Sequence, residues 1–154
     1  MFSRIRKLLW RTNPPPQRGD FPSATEWLES WVAHRISRAR GHPAQVLHLG
    51  GQPAAYVFGS IGLDTAIDCS GSFWVATYEL DEETPPIWRE ASQREATWIA
   101  VCATKRHPEL VALIPSRPPN ATPCGACQRT GFVYQNVVIC EECSALGWIP
   151  TDGA

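Results

Sequence analysis

Four cysteines near the C-terminal end carry the chemistry that is most readable in this chain. Cys124-Gly-Ala-Cys127 and Cys140-Glu-Glu-Cys143 are two Cys-x-x-Cys pairs separated by twelve residues, which places four soft thiolates within reach of one tetrahedral Zn²⁺. Four sulfur ligands close the coordination sphere and leave no position for a reactive water, so the expected role of the metal is structural. Each second cysteine is followed four residues later by glycine, Cys127 by Gly131 and Cys143 by Gly147, which suits a tight knuckle with φ > 0 whose amides turn toward the sulfurs. Between the pairs, residues 132–139 are β-branched and aromatic around a polar Gln135-Asn136 break, the pattern of a small hairpin. Cys69 and Cys102 stand singly within apparent structural elements and outside this site. That clustering favours zinc in a reducing compartment over three disulfides.

Other residues that invite a catalytic reading are weaker. Asp64 and Asp68, four apart on a strand, are about 13 Å apart along one face, too far for a carboxylate dyad, and are read as a solvated strand edge. His48 sits between two leucines as a structural residue, and His34 and His42 lie near the C-terminal end of a helix, where the dipole favours them. Cys69 has acidic neighbours, which raise a thiol pKa. No P-loop, nucleophile elbow, dinucleotide fingerprint or His-Glu-x-x-His is present, so no catalytic or cofactor-binding residue is assigned and the chain is read as a non-enzyme.

The elements that would position these residues follow from pattern. Ser23-Ala24-Thr25-Glu26 and Ser92-Gln93-Arg94-Glu95 are capping boxes. The first opens a helix with Trp27, Leu28, Trp31, Val32 and Ile36 at core spacing, closed by Gly41; the second opens one over residues 93–106 with Trp98, Ile99 and Cys102 inward, followed after Pro108 by a short helix to Leu113. Between them, β-like runs at 45–49, 54–58, 63–68 and 72–80 predict an antiparallel meander of three to four strands, ended by the acidic loop Asp81-Glu82-Glu83-Thr84-Pro85-Pro86. The expected organisation is a basic tail (1–19) ending in a proline spacer, an α+β domain (20–115), a proline-rich linker (116–123) and a zinc ribbon (124–150).

The 154 residues carry a net charge of −1 that hides an uneven distribution. Arg4, Arg6, Lys7, Arg11 and Arg18 make the first nineteen residues wholly basic, whereas residues 43–95 hold eight acids against Arg89 and Arg94. Seven tryptophans and 44% hydrophobic residues predict a packed core, and no apolar run approaches the roughly 18 to 20 residues of a membrane span. Charge in the first ten residues, where a signal peptide needs its apolar region, predicts a cytoplasmic protein. The same segment is amphipathic on a helix and offers a weak contact to a membrane surface. From Cys124 onward Arg129 is the one cation, which disfavours phosphate contacts by the ribbon. Phe132, Tyr134 and Trp148 are therefore read as packing against the domain or as a protein-binding surface.

Cys-Gly-Ala-Cys-Gln-Arg-Thr-Gly and Cys-Glu-Glu-Cys-Ser-Ala-Leu-Gly resemble the Cys-x-x-Cys-x-Gly-x-Gly knuckles of the DnaJ-type zinc-ribbon family, with Arg129 and Ala145 where that family has its first glycine. The resemblance implies the ribbon and its zinc ligands; without a His-Pro-Asp motif it does not imply chaperone activity. Over residues 21–115, Gly62-Leu63-Asp64-Thr65-Ala66-Ile67-Asp68 running into Ser72-Phe73-Trp74-Val75-Ala76 resembles the SUKH-type superfamily of bacterial immunity proteins, without its Pro-aromatic and Asn-Gly signals near the first helix. That resemblance implies neutralisation of a toxin by occlusion, with Glu79, Asp81, Glu82 and Glu83 meeting a basic protein surface. The alternative is a nucleic-acid-associated ribbon protein whose basic tail contacts phosphates.

Overall fold

The computed structural model describes residues 13–38, 46–60, 63–78, 84–135 and 137–149. A 3₁₀ turn at Arg18–Asp20 precedes helix α1 (Ala24–Arg38). Strands β1 (Val46–Leu49), β2 (Gln52–Ser60), β3 (Leu63–Asp68), β4 (Phe73–Thr77) and β5 (Ile87–Glu90) follow, then helix α2 (Gln93–Ala103) and a 3₁₀ helix at Pro108–Leu113. The short strands β6 (Thr122–Pro123), β7 (Phe132–Val133), β8 (Val138–Ile139) and β9 (Trp148–Ile149) belong to the cysteine-bearing module. No helix among the described residues is long and apolar enough to cross a membrane.

The mixed α and β class agrees with the pattern reading, but the sheet has five strands in the order β1-β2-β3-β4-β5, not three to four. All neighbours are antiparallel. The strand that pattern reading missed is β5, which pairs Thr77 with Ile87 and Trp74 with Glu90. It is a short edge strand, exposed at Ile87, and Pro85-Pro86 just before it read as the end of the sheet; proline is tolerated there because an edge strand needs only one ladder of hydrogen bonds. Helix α2 stops at Ala103 instead of Arg106, because the Thr104 amide is shared between the Ala100 and Cys102 carbonyls and the chain tightens toward Pro108.

The main core lies between one face of the sheet and the two helices. Trp27, Trp31 and Val32 of α1 are wholly buried against Ala55 and Val57 of β2, Ile67 of β3, Phe73 and Val75 of β4, and Ile99, Ala100 and Ala103 of α2. A bulge between Tyr56 and Phe58 lets both Val57 and Phe58 pack on this side, and Phe58 meets Trp98 edge-on at 6.2 Å. Truncating a buried tryptophan typically costs about 3–5 kcal/mol, so packing holds α1 far more than its cap does. The opposite face has its own smaller cluster of Leu49, Ala54 and Ala66 with Trp74 and Trp88. The proline spacer is docked on α1: the Trp27 indole N–H donates to the Pro16 carbonyl at 2.9 Å.

Ser23 caps α1 by accepting the Glu26 amide at 3.2 Å. The Ser92 box is reciprocal, Ser92 Oγ accepting the Glu95 amide at 3.2 Å while the Ser92 amide donates to Glu95 Oε2 at 2.8 Å. Arg89 on β5 grips the same carboxylate with two bonds of 2.7 and 2.8 Å, tying the edge strand to α2. The Arg89 guanidinium, opposed by partial burial and helped by Ser92, holds the Glu95 carboxyl down at about 2. A folded-state pKa below the unfolded one stabilises the fold above the unfolded value near 4 and loses that stabilisation as pH falls toward 2. Glu95→Gln should therefore lower stability by about 0.5–1 kcal/mol at neutral pH, the pair being partly solvated. The deficit should shrink between pH 4.5 and 2; melts across that range check this, and a constant deficit would remove the charge from the explanation.

Candidate metal centre

The cysteine module is a pair of matched knuckles that hold each other. In the first, Cys124 and Cys127 are followed by left-handed residues Gln128 (φ 51°) and Arg129 (φ 70°); in the second, Cys140 and Cys143 are followed by Ser144 (φ 50°) and Ala145 (φ 69°). The Gly131 amide donates to Cys127 Sγ at 3.2 Å and the Gly147 amide to Cys143 Sγ at 3.3 Å. The knuckles then exchange backbone bonds, Cys124 N–H to the Gly147 carbonyl at 3.1 Å and Cys140 N–H to the Gly131 carbonyl at 2.9 Å. β7 pairs with β8 as the connecting hairpin, and β6 with β9 closes the module at its base.

This scaffold brings all four sulfurs together. Cys124 Sγ lies 3.7 Å from Cys140 Sγ, Cys127 Sγ lies 3.7 Å from Cys143 Sγ, and all four fall within 4.8 Å of one another. A disulfide needs about 2.05 Å. The edge of a tetrahedron built on Zn–S bonds of about 2.3 Å is about 3.8 Å, so the sulfurs have the spacing of a tetrahedral metal site. The cysteines are at most 4% exposed. Burial raises the Cys124 thiol and pushes Cys143 up to about 12, whereas Cys127 falls to about 7 because the Gly131 amide and neighbouring thiols outweigh its burial. Four adjacent thiolates repel one another in such a site, and a divalent cation is what allows them all to ionise. The cluster can hold one metal ion through Cys124, Cys127, Cys140 and Cys143.

Cys69 and Cys102 are separate from the cluster and only partly buried. Burial, followed by Glu29 and Asp68, raises the Cys69 pKa, so acidic neighbours act as read from sequence but are second to desolvation. The solvated-edge reading of the two aspartates is corrected. Asp68 is 3% exposed and fully used: Oδ1 accepts the Ser70 amide (2.8 Å), the Ser70 hydroxyl (2.6 Å) and the Ser72 amide (3.1 Å), and Oδ2 accepts the Trp74 indole N–H at 2.9 Å. It builds the β3–β4 turn. Asp64 accepts the Tyr56 hydroxyl at 2.5 Å and the Tyr78 hydroxyl, and burial together with this carboxylate pushes Tyr56 up to about 12. His48 is exposed.

The ribbon aromatics divide. Phe132 lies under the Lys105 ammonium at 4.5 Å, a cation–π contact between domain and ribbon, and Trp148 is buried. Tyr134 is 80% exposed at the hairpin tip beside Val137 at 78%, an apolar surface left open. Glu79, Asp81, Glu82 and Glu83, the expected partner-binding acids, lie outside the described residues, as do the basic residues of the tail before Asn13.

Geometry and donor set define a class: a mixed α and β fold bearing a four-cysteine cluster, on two matched knuckles, that could hold a metal ion. No family model, curated protein or solved structure matches this chain.

Proposed function

We propose that this protein is a non-enzymatic protein-binding module with a structural Zn²⁺, acting as an immunity-type inhibitor that covers a basic surface of its partner. The closed four-sulfur cluster carries the structural half of the reading, because its ligands leave no place on the metal for substrate. A tetrahedral four-thiolate set suits zinc or an iron centre, and zinc is the ion of closed structural sites of this kind. The partner half rests on charge: the acids of residues 79–83 form the densest negative run in the chain, and the resemblance of residues 21–115 to SUKH-type immunity proteins implies a toxin as the partner they would meet. The open apolar tip at Tyr134 and Val137 offers a second contact of the kind that anchors protein interfaces.

Reversing Asp81, Glu82 and Glu83 to lysine should abolish binding to the protein that co-purifies from native cells while the circular-dichroism spectrum of the chain stays unchanged. Deleting residues 1–12 should matter less. Electrostatic encounter also predicts an association rate that falls with salt while dissociation changes little. Intact affinity in the triple-lysine variant overturns this reading, and loss of nucleic-acid binding on deleting the tail would establish the alternative of a nucleic-acid-associated protein.

A further inference from the structure

A recess of about 310 Å³ lies where the spacer at residues 13–15 crosses the C-terminal half of α1 and the turn into the 3₁₀ helix. His34, Arg35 and Arg38 line it from α1, and Arg106, His107 and Glu109 from the far side. Glu109 is the one carboxylate among these residues, and its Oε1 accepts the Trp31 indole N–H at 2.8 Å. Among the described residues none of the three arginines forms an ion pair with a carboxylate; the ion pair found there is Arg89 with Glu95, on β5 and α2.

The α1 dipole accounts for Arg35 and Arg38 in the last turns of that helix, but not for Arg106 and His107, which reach the recess from a different element. Arg35 is half-buried with its guanidinium 6.0 Å above the Trp31 ring, and its Nε has neither solvent contact nor a partner, as is true of His34 Nδ1. His107 is fixed by a 3.0 Å bond from Nε2 to the Val57 carbonyl and by an edge-on contact with Trp31 at 5.5 Å. Burial, against the pull of Glu109 and helped by Arg38, lowers the Arg35 pKa; burial and then Arg35 lower that of His107. Three arginines and two histidines thus line a concave site in which Glu109 is the one carboxylate, leaving positive charge in excess. Planar donor forks of this kind match tetrahedral oxyanions.

We infer that this recess binds a phosphate group, held by Arg35, Arg38 and Arg106 with His107 at its edge. Its volume is at the small end of ligand sites, suited to a free phosphate or the phosphomonoester of a small molecule. The site uses none of the acids in residues 79–83, so it stands or falls independently of the proposed partner surface.

The test is titration of the full, zinc-loaded chain in oxyanion-free buffer with inorganic phosphate and, separately, adenosine monophosphate, followed by calorimetry and by the histidine ring signals. Saturable binding that moves His34 and His107 but not His48 is expected. Arg106 is exposed and outside the core, so Arg106→Gln should fold normally and weaken binding about tenfold or more, as losing a charged hydrogen bond does. Arg94→Gln, on the exposed face of α2, should leave affinity within about twofold. Tighter binding of the nucleotide identifies a phosphomonoester ligand and equal binding identifies free phosphate; both uphold the site. Failure to saturate below about 10 mM, or equal weakening by the Arg106 and Arg94 variants, overturns it.

Discussion

Removing the metal from the C-terminal module should unfold residues 122–149 and leave the five-stranded domain standing. Structural zinc contributes on the order of 10–16 kcal/mol of apparent binding free energy in isolated zinc-binding peptides, far more than a module of this size gains from burial. Apart from the cysteines, the apolar groups packed on the site are Val133 and Ile149. Without a cation the four buried thiols have little left to organise them. The domain core of Trp27, Trp31, Ile67, Ile99 and Leu110 includes no metal ligand, so it should keep its own melting transition, less the small Lys105–Phe132 contact. Metal analysis should give one zinc per chain, lost in Cys124→Ser/Cys140→Ser, with protease cleavage then confined to the ribbon. A stoichiometry near zero in protein prepared without chelator, or unchanged zinc in the double variant, would refute the assignment.

Alanine at Gly131 or Gly147 should be nearly as damaging, although neither residue is a ligand. Their φ angles are 79° and 78°, a region in which a side chain costs about 1–2 kcal/mol by itself. Space is the larger obstacle. A Cβ on Gly131 would overlap the Ala145 carbonyl oxygen and come within 2.7 Å of its carbon, and one on Gly147 would overlap the Arg129 carbonyl oxygen. In both cases the obstacle is the other knuckle's backbone, which cannot rotate away as a side chain could. Opening that gap would also pull the glycine amide from its sulfur and break the cross-knuckle bonds to Cys124 and Cys140. Each substitution should therefore cost the ribbon more than about 4 kcal/mol and weaken zinc retention. Gly125→Ala, with nothing within 4 Å of its added Cβ, is the control and should shift stability by under about 0.5 kcal/mol. Competition with a chromogenic chelator measures both; equal zinc retention in Gly131→Ala and Gly125→Ala would show that the close approach is not maintained in solution.

Arg129 and Ala145, each two residues before a knuckle glycine, carry side chains at φ near 70°.

Spacing along the chain alone picked out the four cysteines that the fold gathers into one cluster, because Cys-x-x-Cys is a local motif whose two sulfurs converge wherever the backbone makes a knuckle. Local hydrogen bonding likewise made the Ser92 cap legible, and helical periodicity placed Trp27 and Trp31 in the core. Strand β5 was not legible, since four mostly exposed residues after two prolines carry no alternating pattern and become a strand only by pairing with β4. Asp68 read as solvent-exposed because its partners include Trp74, whose ring returns across the turn only once β3 and β4 have paired. The recess of Arg35, Arg38 and Arg106 was hidden for the same reason. Its cations are separated by some seventy residues of chain, and packing of α1 beside the segment after α2 is what brings them together around Glu109, which forms no ion pair with any of the three arginines.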